Sequence, residues 1–531
     1  KDQITDFNID DDTLTFVGFG YESKENILAN MIETYDGSVL FSDQGTQIRL
    51  SGVSLDEATN KIFFEMRSPV SIEGDLGALS ASGSTSSDNI ELPDFVSALL
   101  DAKSFTTSPE GSKVTSGNST SLSMLASNTK GSLGMSEFKE SEFSDYQGKG
   151  YSVAVLDTGI DLNHPAFGPD NNGDGVSDRI LYSEDFSSDG DGTADDEHGH
   201  GSNVASIIVS SHEDYEGVAP EADVIGLQVL SNNGTGSSRG IESGLQWVIE
   251  NANSYNIVAV NMSLGGSDNR NQHFDHPVYH DELTVLKDMG IITLVAAGND
   301  YYRWQALNPK KEDIQNFFES HGASLTEEAF KEYLVQENLE PFAETLAEIY
   351  DGSQIGAGVS SPATDPNVIP VGAVWKDSFG TVSYEDGAKA FKTAADQVTV
   401  FSQRSAKSED DTTGLDVVFA QGAFIDGAKP GGGVSSQGGT SQATPFVAGM
   451  AVVAQNIADE LLDRRLTPDE FEAMLFSSST IIFDGDDEDD NVTHLEESLP
   501  RVNMLKLATE IKALGESDPD TGGPTPLKDD F

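Results

Sequence analysis

The chain has 531 residues, 37% of them apolar, which is long enough for several domains and a substantial buried core. Asp plus Glu number 90 against 30 Lys plus Arg, a formal charge of −60 that repels phosphate backbones and anionic lipid, so neither nucleic acid nor membrane is an expected partner. Cysteine is absent, which excludes disulfides, thiolate metal sites and a cysteine nucleophile and leaves a metal cation as the available staple.

No apolar run approaches the roughly 18 residues that a spanning helix needs. The start, Lys1-Asp2-Gln3, lacks a basic and apolar leader, so the chain is expected to begin mid-protein or after processing. Residues 1–66 alternate short β-type runs (Thr13–Phe16, Ser38–Phe41, Gln47–Leu50, Ile62–Phe64) with Gly and Asp turns and read as a small β domain. The texture "DQITDFNIDDDTLTFVGFG … DGSVLFSDQGTQIRLSGVSLDEATNKIFF" resembles the end of an RTX calcium β-roll domain, although the nonapeptide repeats themselves are absent. Residues 67–135 are rich in Ser and Gly, with one short helical candidate at Pro93–Ala102, and read as a linker or a processing segment.

From about residue 136 apolar strands (Tyr151–Leu156, Ile257–Asn261, Ile291–Ala296, Val368–Val371) alternate with helical periods, which argues an α/β fold with a mostly parallel sheet flanked by helices. This domain is expected over 136–510, with a helical insertion over about 301–357 ("KEDIQNFFESHG", "LTEEAFKEYLVQENLEPFAETLAEIYDG") and an acidic polar tail over 511–531.

Three segments carry chemistry. The first strand delivers Asp157 at its carboxyl end, where functional groups gather in open α/β sheets. "HGHGSNVAS" places His200 before small residues that start a helix. "GGTSQATP" places Ser441 at the amino end of a small-residue helix expected over Phe446 to Leu461, where free N–H groups favour developing negative charge. A serine hydroxyl needs an imidazole to take its proton, and the imidazole needs a carboxylate to hold its tautomer. Asn299, at the end of Ile291–Ala296 and "AGN", offers an amide for the oxyanion beside the Ser441 N–H.

With "VAVLDTGID", "HGSNVAS", "AAGN" and "GTSQATP" in that order, the chain resembles a subtilisin-like serine peptidase (subtilase, family S8) over about residues 136–510. The resemblance implies a subtilisin-like fold, a serine endopeptidase working through an acyl-enzyme, catalytic Asp157, His200 and Ser441, and Asn299 as oxyanion donor. "NMSLGG" is similar to the family's substrate-binding strand, which implies that Ser263, Leu264 and Gly265 pair with an extended peptide or protein substrate, and "SSPATDPNVIPVGAV" would follow the primary pocket. Departures are Asn203 for the usual second histidine, Ser206 for glycine and Gln442 for methionine; none removes a catalytic group. Asp300, beside the pocket rim, leans the expected preference towards basic or polar side chains.

Between Asp157 and His200 the pattern D-x-N-x-D-G-x-x-D (Asp170, Asn172, Asp174, the Val176 carbonyl, Asp178) reads as the first part of an EF-hand-like calcium loop. Asp185, Ser187, Asp189, Asp191 and Asp196 read as a second. A secreted, calcium-stabilised peptidase is therefore the expectation, as a monomer or part of a larger secreted polypeptide. The rival from a different class is a calcium-binding scaffold module of a large RTX-type protein, its protease domain self-processing or inactive.

Overall fold

The computed structural model describes residues 133–187, 194–266, 268–306, 357–384, 386–406, 415–485 and 489–517, together with the backbone of six short strands between residues 2 and 65. The chain divides into two compact units, Lys1–Leu92 and Pro93–Phe531.

In the first unit, Asp2–Ile4, Thr46–Leu50, Val39–Asp43 and Met31–Glu33 lie side by side in that order, and Leu14–Val17 pairs in parallel with Ile62–Glu65. Four of these strands overlap the predicted β runs. The helical candidate at Pro93–Ala102 lies outside the described residues, as does the expected insertion beyond the short helix Tyr301–Ala306.

The second unit is built on nine strands: β1 (Ser152–Asp157), β2 (Ile180–Asp185), β3 (Asp223–Gln228), β4 (Ile257–Met262), β5 (Ile292–Ala296), β6 (Ile369–Trp375), β7 (Val418–Ala423), β8 (Thr480–Asp484) and β9 (Glu497–Arg501). Their spatial order is β8-β9-β7-β6-β5-β4-β1-β3-β2, with every neighbouring pair parallel except the antiparallel β8–β9 edge. The central strands β1, β4, β5 and β6 are buried at every position, which is why their sequences are continuous apolar runs and not alternating ones. The fold is the mostly parallel, helix-flanked α/β arrangement anticipated above.

Helices cover both faces. On one side lie α1 (His200–Val209) and α4 (Thr440–Leu462); on the other lie α2 (Ser238–Tyr255) and α3 (His280–Asp288). Ser237 caps α2 by accepting from the Gly240 N–H at 3.1 Å, and Asn256 ends it in the left-handed region. The central helix α4 packs across β4, β5, β6 and β7 and against α1, so the serine and histidine segments share one face of the sheet. A last helix, α5 (Met504–Ser517), runs beyond residue 511, where the polar tail was expected to begin. Met504, Leu507, Ala508 and Ile511 are buried at helical spacing, so the apolar stripe carries the helix past that boundary.

Candidate active site

Strand β1 ends in Asp157, which is fully buried and accepts at Oδ1 from its neighbour's Thr158 N–H at 2.7 Å. The same oxygen lies 2.7 Å from Nδ1 of His200, the first residue of α1, itself only 2% exposed. Because a carboxylate faces Nδ1, that nitrogen carries the proton and Nε2 is left with the lone pair that a general base needs. Gly201 makes this approach feasible. A Cβ there would come within 2.1 Å of the Gly159 carbonyl oxygen and 3.2 Å of Asp157.

Ser441 is the second residue of α4, and its Oγ donates to the Ser263 carbonyl at 3.2 Å while the Ser263 Oγ donates to the Ser441 carbonyl at 2.8 Å. The second bond explains how Pro445 is tolerated inside this helix. Proline has no N–H for the carbonyl four residues earlier, and here that carbonyl, on Ser441, takes the Ser263 hydroxyl instead. The Ser441 N–H belongs to the first helical turn, where no intrahelical carbonyl stands behind it.

Asn299 follows β5 and Gly298. Its Oδ1 accepts from the Thr440 N–H at 2.8 Å and from the Thr440 hydroxyl at 3.0 Å, which fixes the amide and leaves its NH2 on the other side, 3.4 Å from where a Cβ on Gly439 would sit. Gly298 has φ +111°, and a Cβ there would strike Gln403 Oε1 at 2.0 Å. Ser263, Leu264 and Gly265 continue from β4, with Ser263 and Leu264 buried. A Cβ on Gly265 would meet Ser360 Oγ at 2.4 Å, the Gly266 N–H donates to the Ser361 carbonyl at 2.7 Å, and the Ser360 N–H to the Ala297 carbonyl at 2.8 Å. Residues 263–266 and the segment before Asn299 are thereby stitched to a common floor at Ser360-Ser361.

Each departure at 203, 206 and 442 has a partner. Ser206 Oγ accepts from the Ala428 N–H at 2.8 Å, and the space it occupies is vacated by Gly427, whose Cβ would lie 2.7 Å from it. Asn203 donates to the Ser435 carbonyl at 3.2 Å and Gln442 donates to Asn203 at 3.4 Å. Asp300 pairs with Arg303 at 3.1 Å, and burial, eased by that arginine, pushes its carboxyl up. The half-buried Asp300 carboxyl is thus engaged by a neighbouring guanidinium.

The calcium expectations divide. In the first loop Asp170 accepts from the Gly173 and Gly175 N–H groups (2.6 and 3.0 Å), Asn172 from the Asp174 N–H (2.8 Å), Asp174 from the Val176 N–H (2.9 Å), and Asp178 from the Asn171 amide (2.5 Å). Among the described residues no group of three carboxylates or imidazoles is gathered as a metal site. The donors are nonetheless hard oxygens on one tight turn, each with a second lone pair, and such a set suits calcium. In the second loop Asp185 accepts from the Ser187 N–H at 2.7 Å, while Asp189 and Asp191 lie outside the described residues.

Asp196, expected as a calcium ligand, is held among protein donors. It is 2% exposed and both its oxygens are engaged by protein donors: Oδ1 by the His198 N–H (3.0 Å), the Gly199 N–H (2.8 Å) and the Thr158 hydroxyl (3.0 Å), and Oδ2 by the Ser202 N–H (2.8 Å) and hydroxyl (2.7 Å). Burial, with a contribution from Asp157, pushes its carboxyl up against the pull of these hydrogen bonds. Thr158 and Thr440 were not singled out by sequence reasoning, and Asp196 was singled out only as a calcium ligand. The only signal was a Ser/Thr or Asp directly beside, or four residues ahead of, a chemical residue.

Comparison with known proteins agrees with this architecture. The Subtilase family profile matches residues 148–500. Subtilisin-like protease 4 of Trichophyton equinum is 27% identical over 312 residues, 58% of this chain and 53% of that protein. Subtilisin-like protease 1 of Arthroderma gypseum is 26% identical over 307 residues, 57% of this chain and 43% of that protein. The chain spans about half the length of these curated relatives. With the profile covering most of the chain and a helix-flanked parallel sheet beneath it, this chain belongs to the subtilase family.

Proposed function

We propose that the chain is a secreted, calcium-stabilised serine endopeptidase. The observation that carries the reading is the buried 2.7 Å pair between His200 Nδ1 and Asp157, on the same face of the sheet as a serine opening a 23-residue helix. With Nδ1–H held by Asp157, His200 Nε2 takes the Ser441 proton as Oγ attacks the scissile carbonyl. The tetrahedral oxyanion is met by the Asn299 amide and the Ser441 N–H. His200 then hands its proton to the leaving amine, and a water, activated by the same nitrogen, releases the acyl group. The 263–265 segment would hold an extended peptide main chain to main chain.

The acidic composition suits the saline medium that a secreted enzyme meets, and no described helix is long and apolar enough to cross a membrane. Calcium would be held by Asp170, Asn172, Asp174, the Val176 carbonyl and Asp178, with Asp185, Ser187, Asp189 and Asp191 as a second donor set. Bound there, it neutralises clustered carboxylates in the segment leading to His200. Chelation should shorten the thermal half-life of activity severalfold, and Asp170→Asn should weaken the calcium response; equal half-lives with and without chelator would contradict this part.

Hydrolysis of a mixed peptide pool added in trans tests the reading. Wild type should cleave, and Asn299→Ala should lower kcat by about 10²- to 10³-fold with little change in KM, the scale known for the oxyanion amide in subtilisin, a relative of this chain. No cleavage by wild type, or normal kcat in the variant, would contradict the reading or the assignment respectively.

A further inference from the structure

We infer that Asp196 is a positioning residue for hydrolysis, bolting the turn that carries Asp157 to the start of the helix that carries His200. The inference rests on the peptidase reading above. Its geometry is two-sided. On the Asp157 side, Asp196 Oδ1 accepts from Thr158 Oγ1 at 3.0 Å, and the Asp161 N–H donates at 2.8 Å to Ser202 Oγ, whose own hydrogen goes to Asp196 Oδ2 at 2.7 Å. On the His200 side, Asp196 takes the Gly199 N–H and the Ser202 N–H, the residues flanking the first turn, both at 2.8 Å. Thr158 closes the loop by accepting the Gly201 N–H at 2.9 Å.

Asp157 and His200 are thus each one residue from an atom fixed by this network. A direct 2.7 Å bond joins them, but a single bond between two side chains leaves the ring free to tilt, whereas these bonds fix both backbones. Thr158, Asp196 and Ser202 are all buried, so water does not substitute for any of the bonds. A carboxylate is required because it accepts everywhere. Five donors converge on its two oxygens, three on one and two on the other. An isosteric asparagine must turn its NH2 towards one of these donor sets, whichever way it is flipped. Ser202 cannot simply reverse its hydroxyl, since it already accepts from the Asp161 N–H.

The test compares wild type, Asp196→Asn and Thr158→Val on peptide turnover and on the rate of labelling by a fluorophosphonate. Asp196→Asn should lower kcat and the labelling rate by about a hundredfold, the scale of a misplacement of catalytic groups, while KM stays within about twofold because the 263–265 segment is untouched. The downfield proton resonance of His200 Nδ1–H should broaden or shift in the variant, which a remote loss of stability would not produce. Thr158→Val, which keeps the Asp196 bonds to the helix, should show the same split with a smaller fall, and the double variant should fall less than the two effects multiplied. A folded Asp196→Asn with wild-type kcat and labelling rate overturns the inference. Should that variant fail to fold, Thr158→Val decides alone: lower kcat with retained KM supports the role, and unchanged kcat overturns it. Calcium bound per chain should be the same in Asp196→Asn and wild type; loss of an ion would return Asp196 to the metal ligands and overturn the inference too. A wild type that neither turns over peptide nor labels refutes the peptidase reading instead.

Discussion

His200→Ala should lower kcat by about 10⁶-fold, the scale attached to loss of the histidine in a subtilisin, with KM nearly unchanged. In the resting geometry the Ser441 hydroxyl donates to the Ser263 carbonyl, an oxygen far too weak a base to carry the proton away during attack. In the proposed mechanism the imidazole of His200, with Asp157 at its Nδ1, supplies the basic nitrogen. Its loss leaves the 263–265 segment proposed to hold substrate, and Asn299, in place, so binding should persist with a residual rate from oxyanion stabilisation. Single-turnover and steady-state kinetics on one peptide would measure both parameters. A rate within tenfold of wild type would mean that Ser441 is activated by another group.

Asp484→Ala should destabilise the second unit by about 3–5 kcal/mol, the cost of breaking a buried ion pair from one side. Asp484 ends β8 and is fully buried, 2.8 Å from the Arg404 guanidinium, which is itself 0% exposed and stacks 3.7 Å over the Tyr301 ring. His494 Nδ1 lies 2.6 Å from the same Asp484 oxygen and its Nε2 lies 3.3 Å from Asp490. Without Asp484, Arg404 would be a buried cation left with the Tyr301 ring and the charge of Asp490. Tyr301 stands two residues from Asn299 and its hydroxyl donates to the Thr493 carbonyl at 2.9 Å, so the disturbance reaches the end of β5.

The cluster also sets an alkaline limit. Burial disfavours the charged imidazole, but hydrogen bonds and charges from Asp484 and Asp490 outweigh it and push His494 up to about 9. A folded value above the unfolded one, about 6.5, means that this contribution is whole below the unfolded value and is lost as pH rises through about 9. Asp484 behaves oppositely. Burial raises its carboxyl, but Arg404 and His494 prevail and depress it, so its contribution is lost only as pH falls through its lowered folded value. Calorimetry from about pH 7 to about pH 10 should show the melting temperature of wild type falling, and His494→Gln should flatten that fall. A pH-independent melting temperature across this range would contradict the assignment.

The central strands were legible because burial on both faces writes them as unbroken apolar runs, as in Ser152–Asp157 and Ile257–Met262. The α4 start was placed late. Pro445 looks like a helix opening, whereas the helix begins at Thr440 because the Ser263 hydroxyl satisfies the carbonyl that proline leaves free. Edge strands β8 and β9 escaped notice, since Ile481 and Phe483 are exposed and their pattern is no longer a core pattern. Asp196 was read only as a cation ligand for a related reason. It sits in an acidic run that suits a cation, and only the folded chain brings Thr158 and the α1 amides to its two oxygens.

Peptide mapping by mass spectrometry of the full chain after treatment with a fluorophosphonate tests the nucleophile most directly. One adduct on Ser441 is predicted, absent in Ser441→Ala and formed far more slowly in His200→Ala. No adduct on folded wild type, or an adduct that persists in Ser441→Ala, would contradict the assignment of Ser441 as the attacking group.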